Sequence, residues 1–130
     1  KKYSDEKNFI IVDAGMNDFL RPALYDAKHQ VKELNINYKK EKEEYFDIVG
    51  PICETADVVK ENVKLNKNID RGEYLFVETV GAYGSTMSST YNSRSLISEV
   101  LVSKNLYFEI RKKMHEEDFL KLEKVPSWLK

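Results

Sequence analysis

The stretch GPICETAD, at residues 50–57, holds the single cysteine of the chain between a Gly-Pro pair and two acidic residues. A lone cysteine is most often a small buried apolar residue. Glu54 and Asp57 are unfavourable neighbours for a core thiol, and a turn after the Gly-Pro pair would direct Cys53 out of a sheet and into a cleft. Two interpretations of Cys53 therefore stay open, a buried structural cysteine and a thiol on a turn that points into a cleft.

Arg21 and Tyr25 lie four residues apart in the sequence RPALY and would share one face if this segment is helical. A guanidinium group holds a carboxylate in a fixed plane through paired hydrogen bonds. The two side chains could therefore form a carboxylate-binding edge. The alternative is that Arg21 caps a short helix or forms an ordinary ion pair.

Tyr83 stands between glycines in the sequence GAYG, which usually marks a tight turn at the end of a strand. Small neighbours would leave room for a ligand, and the tyrosine hydroxyl could then meet a phosphate or a carboxylate. In the simpler interpretation, Tyr83 is an aromatic residue at the rim of the domain.

The segments that must position these residues have mostly strand character. The sequences FIIVDAG (9–15) and YFDIVG (45–50) combine β-branched or aromatic residues with a glycine at the end, which predicts strands. The segment EYLFVETV (73–80) carries the strongest strand signal of the chain. DVVKENVKL (57–65) predicts a strand with a turn, and 98–113 predicts a hairpin divided at Lys104-Asn105.

Helical signals are brief. Leu20, Leu24, Ala27 and Val31 recur at helical spacing, and Pro22 is compatible with a first turn. Lys39–Glu44 predicts a solvated loop or a hairpin tip, 85–94 a turn or a single helical turn, and 115–125 a last short helix. About six short strands with brief helices predict a mainly β fold, an antiparallel β-sandwich or small β-barrel.

Composition limits the function classes. The 130 residues suit one domain, and a formal net charge of -1 favours neither nucleic acid nor an anionic membrane as partner. The apolar run from Phe9 to Val12 is too short for a signal sequence or a membrane span. One cysteine cannot form an internal disulfide, and neither histidine lies at zinc-ligand spacing from it, so no metal is predicted. These features predict a cytoplasmic protein.

Three motifs in order, VDAGMNDFLRPALY, GPICET.D and GAYG..MSS.YNSR, resemble the C-terminal β-domain of the diaminopimelate decarboxylases. That family belongs to the fold-type III pyridoxal-phosphate decarboxylases, which join an N-terminal (β/α)₈ barrel to a C-terminal β-barrel related to that of alanine racemase. The resemblance extends from about Asn8 to about Val125. It implies that residues 1–130 are the C-terminal β-domain and that the N-terminal barrel is absent from this chain.

The resemblance also implies a reaction. The family removes one carboxylate from meso-diaminopimelate to give L-lysine and CO₂, the last step of bacterial lysine synthesis, with pyridoxal 5'-phosphate as cofactor. Cys53 corresponds to the proton donor, and a thiol is ordinarily protonated at neutral pH. Glu54 corresponds to the residue that reads the distal ammonium of the substrate. Arg21 and Tyr25 correspond to residues that bind the distal carboxylate, and Tyr83 to one that touches both cofactor and substrate.

Several further expectations follow from the same resemblance. Asp13, Asn17, Tyr91 and Asn92 match motif positions with structural or interface roles. The Schiff-base lysine belongs to the missing barrel, so the chain alone is expected to be inactive. The family's active site lies between two subunits, which implies a homodimer in which Cys53 and Glu54 enter the neighbouring pocket.

One motif differs slightly from the family. CETAD departs from the family's usual CES sequence, although Cys53, Glu54 and Asp57 keep their places.

Two alternatives remain open. A related decarboxylase acting on ornithine, arginine or carboxynorspermidine is the first alternative. Glu54 with Arg21 and Tyr25 favours diaminopimelate, because ornithine has no distal carboxylate. The second alternative is a non-catalytic β-domain that binds a partner.

Overall fold

Short strands provide most of the regular structure in the computed structural model, which describes residues 1–34 and 42–129. The chain forms two compact units, Lys1–Ser88 and Ser89–Lys130. The elements of the first unit are β1 (Lys2–Tyr3), β2 (Asn8–Ile11), α1 (Arg21–Tyr25), β3 (Val31–Glu33), β4 (Glu43–Val49), β5 (Val58–Asn66), β6 (Leu75–Val77) and a 3₁₀ turn at Ser85–Met87.

The first unit is built on a four-stranded sheet with the order β1-β2-β4-β5. β1 and β5 pair antiparallel with their neighbours, whereas β2 and β4 run parallel. A second, antiparallel pair is formed by β3 and β6. Strand β4 has a partner on each side, and its residues Phe46, Asp47 and Ile48 are consecutively buried, as expected for a central strand with both faces covered.

The core joins these two sheets. Buried apolar side chains come from both sheets and from the segment after β5, with partly buried residues of β6 packed against them: Ile10, Val31, Phe46, Ile48, Val63, Leu65 and Ile69. Helix α1 packs against β5 outside this core. The strands therefore fix where α1 and the turn between β4 and β5 lie, and these two segments carry four of the five predicted site residues.

A β-bulge in β5 is held by a buried carboxylate. Phe46 pairs with Val63 but Ile48 pairs with Lys60, so β5 has one residue more than β4 in this interval. Asp47, which is 5% exposed, accepts a hydrogen bond from the backbone N–H of Asn62 at 2.8 Å. Asn62 has a φ of 54°, a left-handed conformation that asparagine tolerates well. Asp47 thus stabilises the irregular part of the sheet.

The second unit contains a hairpin and short helical segments. Its elements are a 3₁₀ turn at Tyr91–Ser93, β7 (Glu99–Ser103), β8 (Leu106–Arg111), α2 (Glu116–Leu120) and a 3₁₀ turn at Ser127–Leu129. Ser103 pairs with Leu106 across a two-residue loop at 104–105. The Ser95 hydroxyl donates to Glu116 at 2.5 Å and lowers the pKa of that carboxyl.

The predicted fold class is confirmed: the structure is mainly sheet with a few short helices. The hairpin divided at residues 104–105 is present, and residues 85–94 contain single 3₁₀ turns as predicted. All strand pairs among the described residues are antiparallel except β2 with β4. The assignment of residues 1–130 as the C-terminal domain of a longer protein stays a prediction.

Three local predictions were wrong in extent. Helix α1 ends at Tyr25 because Asp26 adopts a left-handed conformation with a φ of 51°, and Val31 of the predicted helical stripe is buried in β3. The strand predicted over 73–80 is confined to β6. Glu43 and Glu44, predicted in a loop, begin β4, and the rest of that loop lies largely outside the described residues.

Within residues 1–34 and 42–129, every helix is too short or too polar to cross a lipid bilayer.

Asp47 provides a test of this sheet. Burial raises the pKa of the Asp47 carboxyl, but hydrogen bonds from the Lys7 ammonium and from the Asn62 N–H outweigh burial and hold the pKa below its ordinary value. The ionised carboxylate therefore stabilises the fold above the unfolded pKa, and this contribution is lost as the pH falls through the lower folded pKa. We expect Asp47→Asn to reduce the free energy of unfolding by about 2 kcal/mol at neutral pH.

Urea unfolding at pH 7 and at about pH 3 measures this effect. The difference between wild type and Asp47→Asn should shrink at the lower pH. Glu61→Gln is the control because Glu61 is the exposed second partner of Lys7, at 3.2 Å, and its loss should change stability by less than about 0.5 kcal/mol. An equal deficit for Asp47→Asn at both pH values would contradict the assignment.

Candidate functional site

Arg21 begins α1, directly after an irregular loop that follows β2. The loop is held by its own polar groups: Asp18 accepts the backbone N–H of Gly15 at 2.9 Å, and the amide of Asn17 donates to Asp18 at 3.0 Å. Asn17 is 2% exposed, so the loop is anchored in the interior. Pro22 follows Arg21 in the first helical turn, where its missing N–H breaks no helical bond.

The guanidinium of Arg21 lies over the ring of Tyr83, with 5.7 Å between Cζ and the ring centroid. A cation over an aromatic face is attracted by the quadrupole of the ring. Arg21 is half-buried, whereas Tyr83 is 64% exposed. The structure thus brings together two predicted site residues that are 62 positions apart in sequence.

Tyr83 is held in an unusual backbone conformation. Its φ is 60°, in the left-handed region that a bulky side chain rarely adopts. Such conformations persist when surrounding structure enforces them, and they concentrate at functional sites. The contact with Arg21 is one interaction that favours this placement of the ring.

Cys53 and Glu54 lie on the turn that joins β4 to β5, and both side chains are exposed. The thiol is therefore directed out of the sheet, as one of the two interpretations of the sequence expected, and a buried structural cysteine is excluded. Two backbone hydrogen bonds close the turn: Gly50 N–H donates to the Asp57 carbonyl at 2.9 Å, and Asp57 N–H donates to the Glu54 carbonyl at 3.1 Å. Ile52 is buried and anchors the turn in the interior of the unit.

The carboxylate of Asp57 links this turn to the loop before α1. One oxygen accepts the backbone N–H of Ile52 at 2.7 Å, and the other accepts the backbone N–H of Met16 at 2.6 Å. Asp57 is 3% exposed. Gly50 makes room for it, because a Cβ at Gly50 would lie 2.3 Å from the nearer carboxylate oxygen.

The five predicted site residues occupy two surface groups of the first unit. Arg21 and Tyr25 lie one helical turn apart on α1, with Tyr83 against Arg21, while Cys53 and Glu54 share the turn after β4. A cavity of about 470 Å³ where α1 meets β5 is lined by other residues, among them Pro22, His29 and Val59. The predicted site is therefore an open surface of this unit.

Sequence reasoning underrated Asp57 and Gly50. The sequence predicts neither the hydrogen bonds that Asp57 accepts nor the space that Gly50 leaves for its carboxylate. The available signal was an acidic residue just before a strand and shortly after a Gly-Pro pair, since such a residue can accept the free N–H groups of the turn. The second bond, from Met16, could not be foreseen because it joins segments 41 residues apart.

The chain is similar in sequence and structure to known decarboxylases. Residues 1–81 match the family model described as pyridoxal-dependent decarboxylase, C-terminal sheet domain. The diaminopimelate decarboxylase of Zymomonas mobilis is 41% identical over 128 residues, which are 98% of this chain and 30% of that protein. The chain thus spans about a third or less of the length of the relatives it matches.

Two solved structures are similar over most of the chain. The diaminopimelate decarboxylase of M. jannaschii in complex with L-lysine has a TM-score of 0.91 at 35% identity, and the match covers 99% of this chain and 29% of the other. The Helicobacter pylori diaminopimelate decarboxylase, also in complex with L-lysine, has a TM-score of 0.81 at 40% identity and covers 92% and 29%.

Gly50 tests the packing of the Cys53 turn. We expect Gly50→Ala to reduce the free energy of unfolding by about 2–3 kcal/mol, because the new methyl group would collide with the buried Asp57 carboxylate. Gly81→Ala is the matched control, because nothing lies within 4 Å of a Cβ built there. Gly81→Ala should leave stability unchanged or raise it by up to about 1 kcal/mol. Equal losses for the two variants in urea unfolding would contradict this account.

Proposed function

Because the chain belongs to the family of pyridoxal-dependent decarboxylase C-terminal sheet domains, we propose that it is part of an enzyme that converts meso-diaminopimelate to L-lysine and CO₂. The observation that carries the proposal is the guanidinium of Arg21, oriented over Tyr83 at an open surface. A planar, permanently charged fork suits a carboxylate. Similar proteins that are named diaminopimelate decarboxylases, two of them with L-lysine bound, support this substrate class.

In the proposed reaction, the ends of the substrate are recognised separately. Arg21 and Tyr25 hold the distal carboxylate, and Glu54 accepts hydrogen bonds from the distal ammonium. Charge-assisted contacts of this kind are stronger than neutral ones and fix orientation. Ornithine has no distal carboxylate, so it would leave the Arg21 guanidinium without an anion.

The chemical step breaks the bond between the α-carbon and the reacting carboxylate, which leaves as CO₂, and adds one proton to the α-carbon. Pyridoxal phosphate, when bound, supplies the electron sink that makes this bond cleavage possible. Cys53 delivers the proton. Its thiol is exposed at the tip of a turn that is anchored on both sides, so it can reach a substrate held outside this unit.

The cofactor would be held only at its edge by this chain. Tyr83 offers an exposed hydroxyl as a hydrogen-bond donor next to the Arg21 cation.

A lysine that forms a Schiff base needs a lowered pKa, which comes from burial or a neighbouring cation. Many described lysines are instead paired with carboxylates, and the pKa values of Lys7 and Lys64 are raised by hydrogen bonds to Asp47 and Glu43. The attachment lysine is therefore assigned to another part of the protein.

The surroundings of the site would come from a longer protein and a second subunit. The chain spans about 30% of its relatives, and the predicted site residues are open to solvent. The β7–β8 hairpin also exposes large apolar side chains, among them Leu106, Tyr107 and Phe108. Exposed apolar area of this kind is typical of surfaces that contact another polypeptide. We include a homodimer with shared active sites and a cytoplasmic location in the proposal.

Arg21→Ala tests the recognition of the distal carboxylate. In the full-length enzyme we expect KM for meso-diaminopimelate to rise about 30-fold, equivalent to about 2 kcal/mol, while any turnover of ornithine is unchanged. Lys28→Ala is the control, since Lys28 is an exposed cation just after α1 that pairs with Asp26. It should change KM by less than about twofold. Equal effects of Arg21→Ala on both substrates would favour a related decarboxylase instead.

Cys53→Ala tests the proton donor. Loss of a positioned general acid should lower kcat by about 10²–10⁴-fold with little change in KM, because the distal contacts remain. Thr55→Ala, an exposed neighbour on the same turn, should leave kcat within about twofold of wild type. Normal kcat for Cys53→Ala, with the expected deuterium in the lysine formed in D₂O, would remove Cys53 from the mechanism.

A further inference from the structure

The carboxylate of Asp57 is shared between two chain segments that carry different parts of the predicted site. Through Oδ2 it accepts the N–H of Ile52, the residue directly before Cys53. Through Oδ1 it accepts the N–H of Met16, in the loop that leads into α1 and Arg21. Each oxygen of the carboxylate thus has its own backbone N–H donor.

The carboxylate of Asp57 is closely packed by its surroundings. The residue is 3% exposed, and its own backbone N–H and carbonyl bond to Glu54 and Gly50. The space next to Gly50 is filled by the carboxylate itself, as the short distance from a Cβ built there demonstrates. Gly15, the residue before Met16, packs closely on the turn, because a Cβ there would lie 2.9 Å from Ile52 Cγ1. A rigidly held acceptor orders the donors that point at it.

We propose that Asp57 is a positioning residue, which holds the turn in the conformation that presents Cys53 and Glu54 and joins that turn to the loop before α1. The backbone on both sides of Cys53 is bonded to Asp57, through the N–H of Ile52 and the carbonyl of Glu54. Asp57 touches neither substrate nor cofactor in this assignment. The effect of Asp57 on catalysis rests on the proposed function. Its ordering of the Cys53 turn does not.

Asp57→Asn is the informative variant. The amide has nearly the shape of the carboxylate, but one of its two positions becomes an NH₂ group that faces a backbone N–H and cannot accept from it. One of the two bonds must break, and a buried N–H loses its partner. The turn or the loop is then released without a change in side-chain volume.

The single cysteine of the chain makes Cys53 a unique site for a nitroxide spin label. In the electron paramagnetic resonance spectrum, the label on Asp57→Asn should report faster, less ordered motion than on the unsubstituted chain. Amide hydrogen exchange of Met16 or Ile52 should accelerate about tenfold or more, since the lost bond lowers the cost of local opening. Both measurements are made on native protein and need no cofactor.

Asp47→Asn is the matched control. Asp47 is also buried and also accepts a backbone N–H, but from Asn62 in the bulge of β5 and not from the Cys53 turn. It should leave the label spectrum unchanged even though it destabilises the fold. An unchanged spectrum for Asp57→Asn, or equal loosening by Asp47→Asn, would overturn the proposal, because the effect would then be absent or merely global.

The full-length enzyme separates this proposal from the proposed function. If both hold, Asp57→Asn lowers kcat about tenfold or more and also raises KM for meso-diaminopimelate, because the same turn presents Glu54. If the label on Asp57→Asn is mobile but the unlabelled Asp57→Asn enzyme keeps its normal kcat, the catalytic role of the positioning is overturned. If the full-length protein does not decarboxylate diaminopimelate, the proposed function fails, and the spectrum and exchange data still decide whether Asp57 orders the turn.

Discussion

The buried carboxylate of Asp57 is the constraint on which the geometry of the site depends. It accepts two backbone N–H groups, one from Ile52 beside Cys53 and one from Met16, which lies 41 residues from Asp57 in the loop before Arg21. An ionised group is costly to bury unless such donors meet it. Once they do, neither segment can move without leaving the charge unpaired. Gly50 and Gly15 follow from this arrangement, because side chains there would displace the carboxylate or Ile52.

The remainder of the site is arranged around Arg21. Helix α1 has only five residues, too few for a helix that is stable in isolation, and it is maintained by the anchored loop before it and by packing on β5. Its guanidinium lies over the ring of Tyr83, whose backbone has a strained, left-handed conformation. A preorganised cation loses little entropy when an anion binds. The Arg21 guanidinium is thus already oriented before a carboxylate would bind to it.

The open position of these residues agrees with a domain that supplies part of an active site. Cys53, Glu54, Tyr25 and Tyr83 are exposed, and the chain spans about 30% of the relatives to which it is similar. An exposed thiol and an exposed carboxylate act in water, where electrostatic interactions are weak. A second surface that excludes water would strengthen each of these contacts.

The sequence by itself determined the mainly β class, the family and the 104–105 hairpin, since β-branched runs, turn residues and linked motifs are local signals. It overextended the helix after Arg21 and the strand at 73–80, because Asp26 and the short β3–β6 pair are set by packing rather than by propensity. Only the tertiary structure decided that Asp57 joins two motifs, that Asp47 holds a bulge and that Tyr83 meets Arg21. Each depends on contacts between residues distant in sequence, and the pattern of neighbours along a chain carries no record of which distant groups a fold brings within hydrogen-bonding distance.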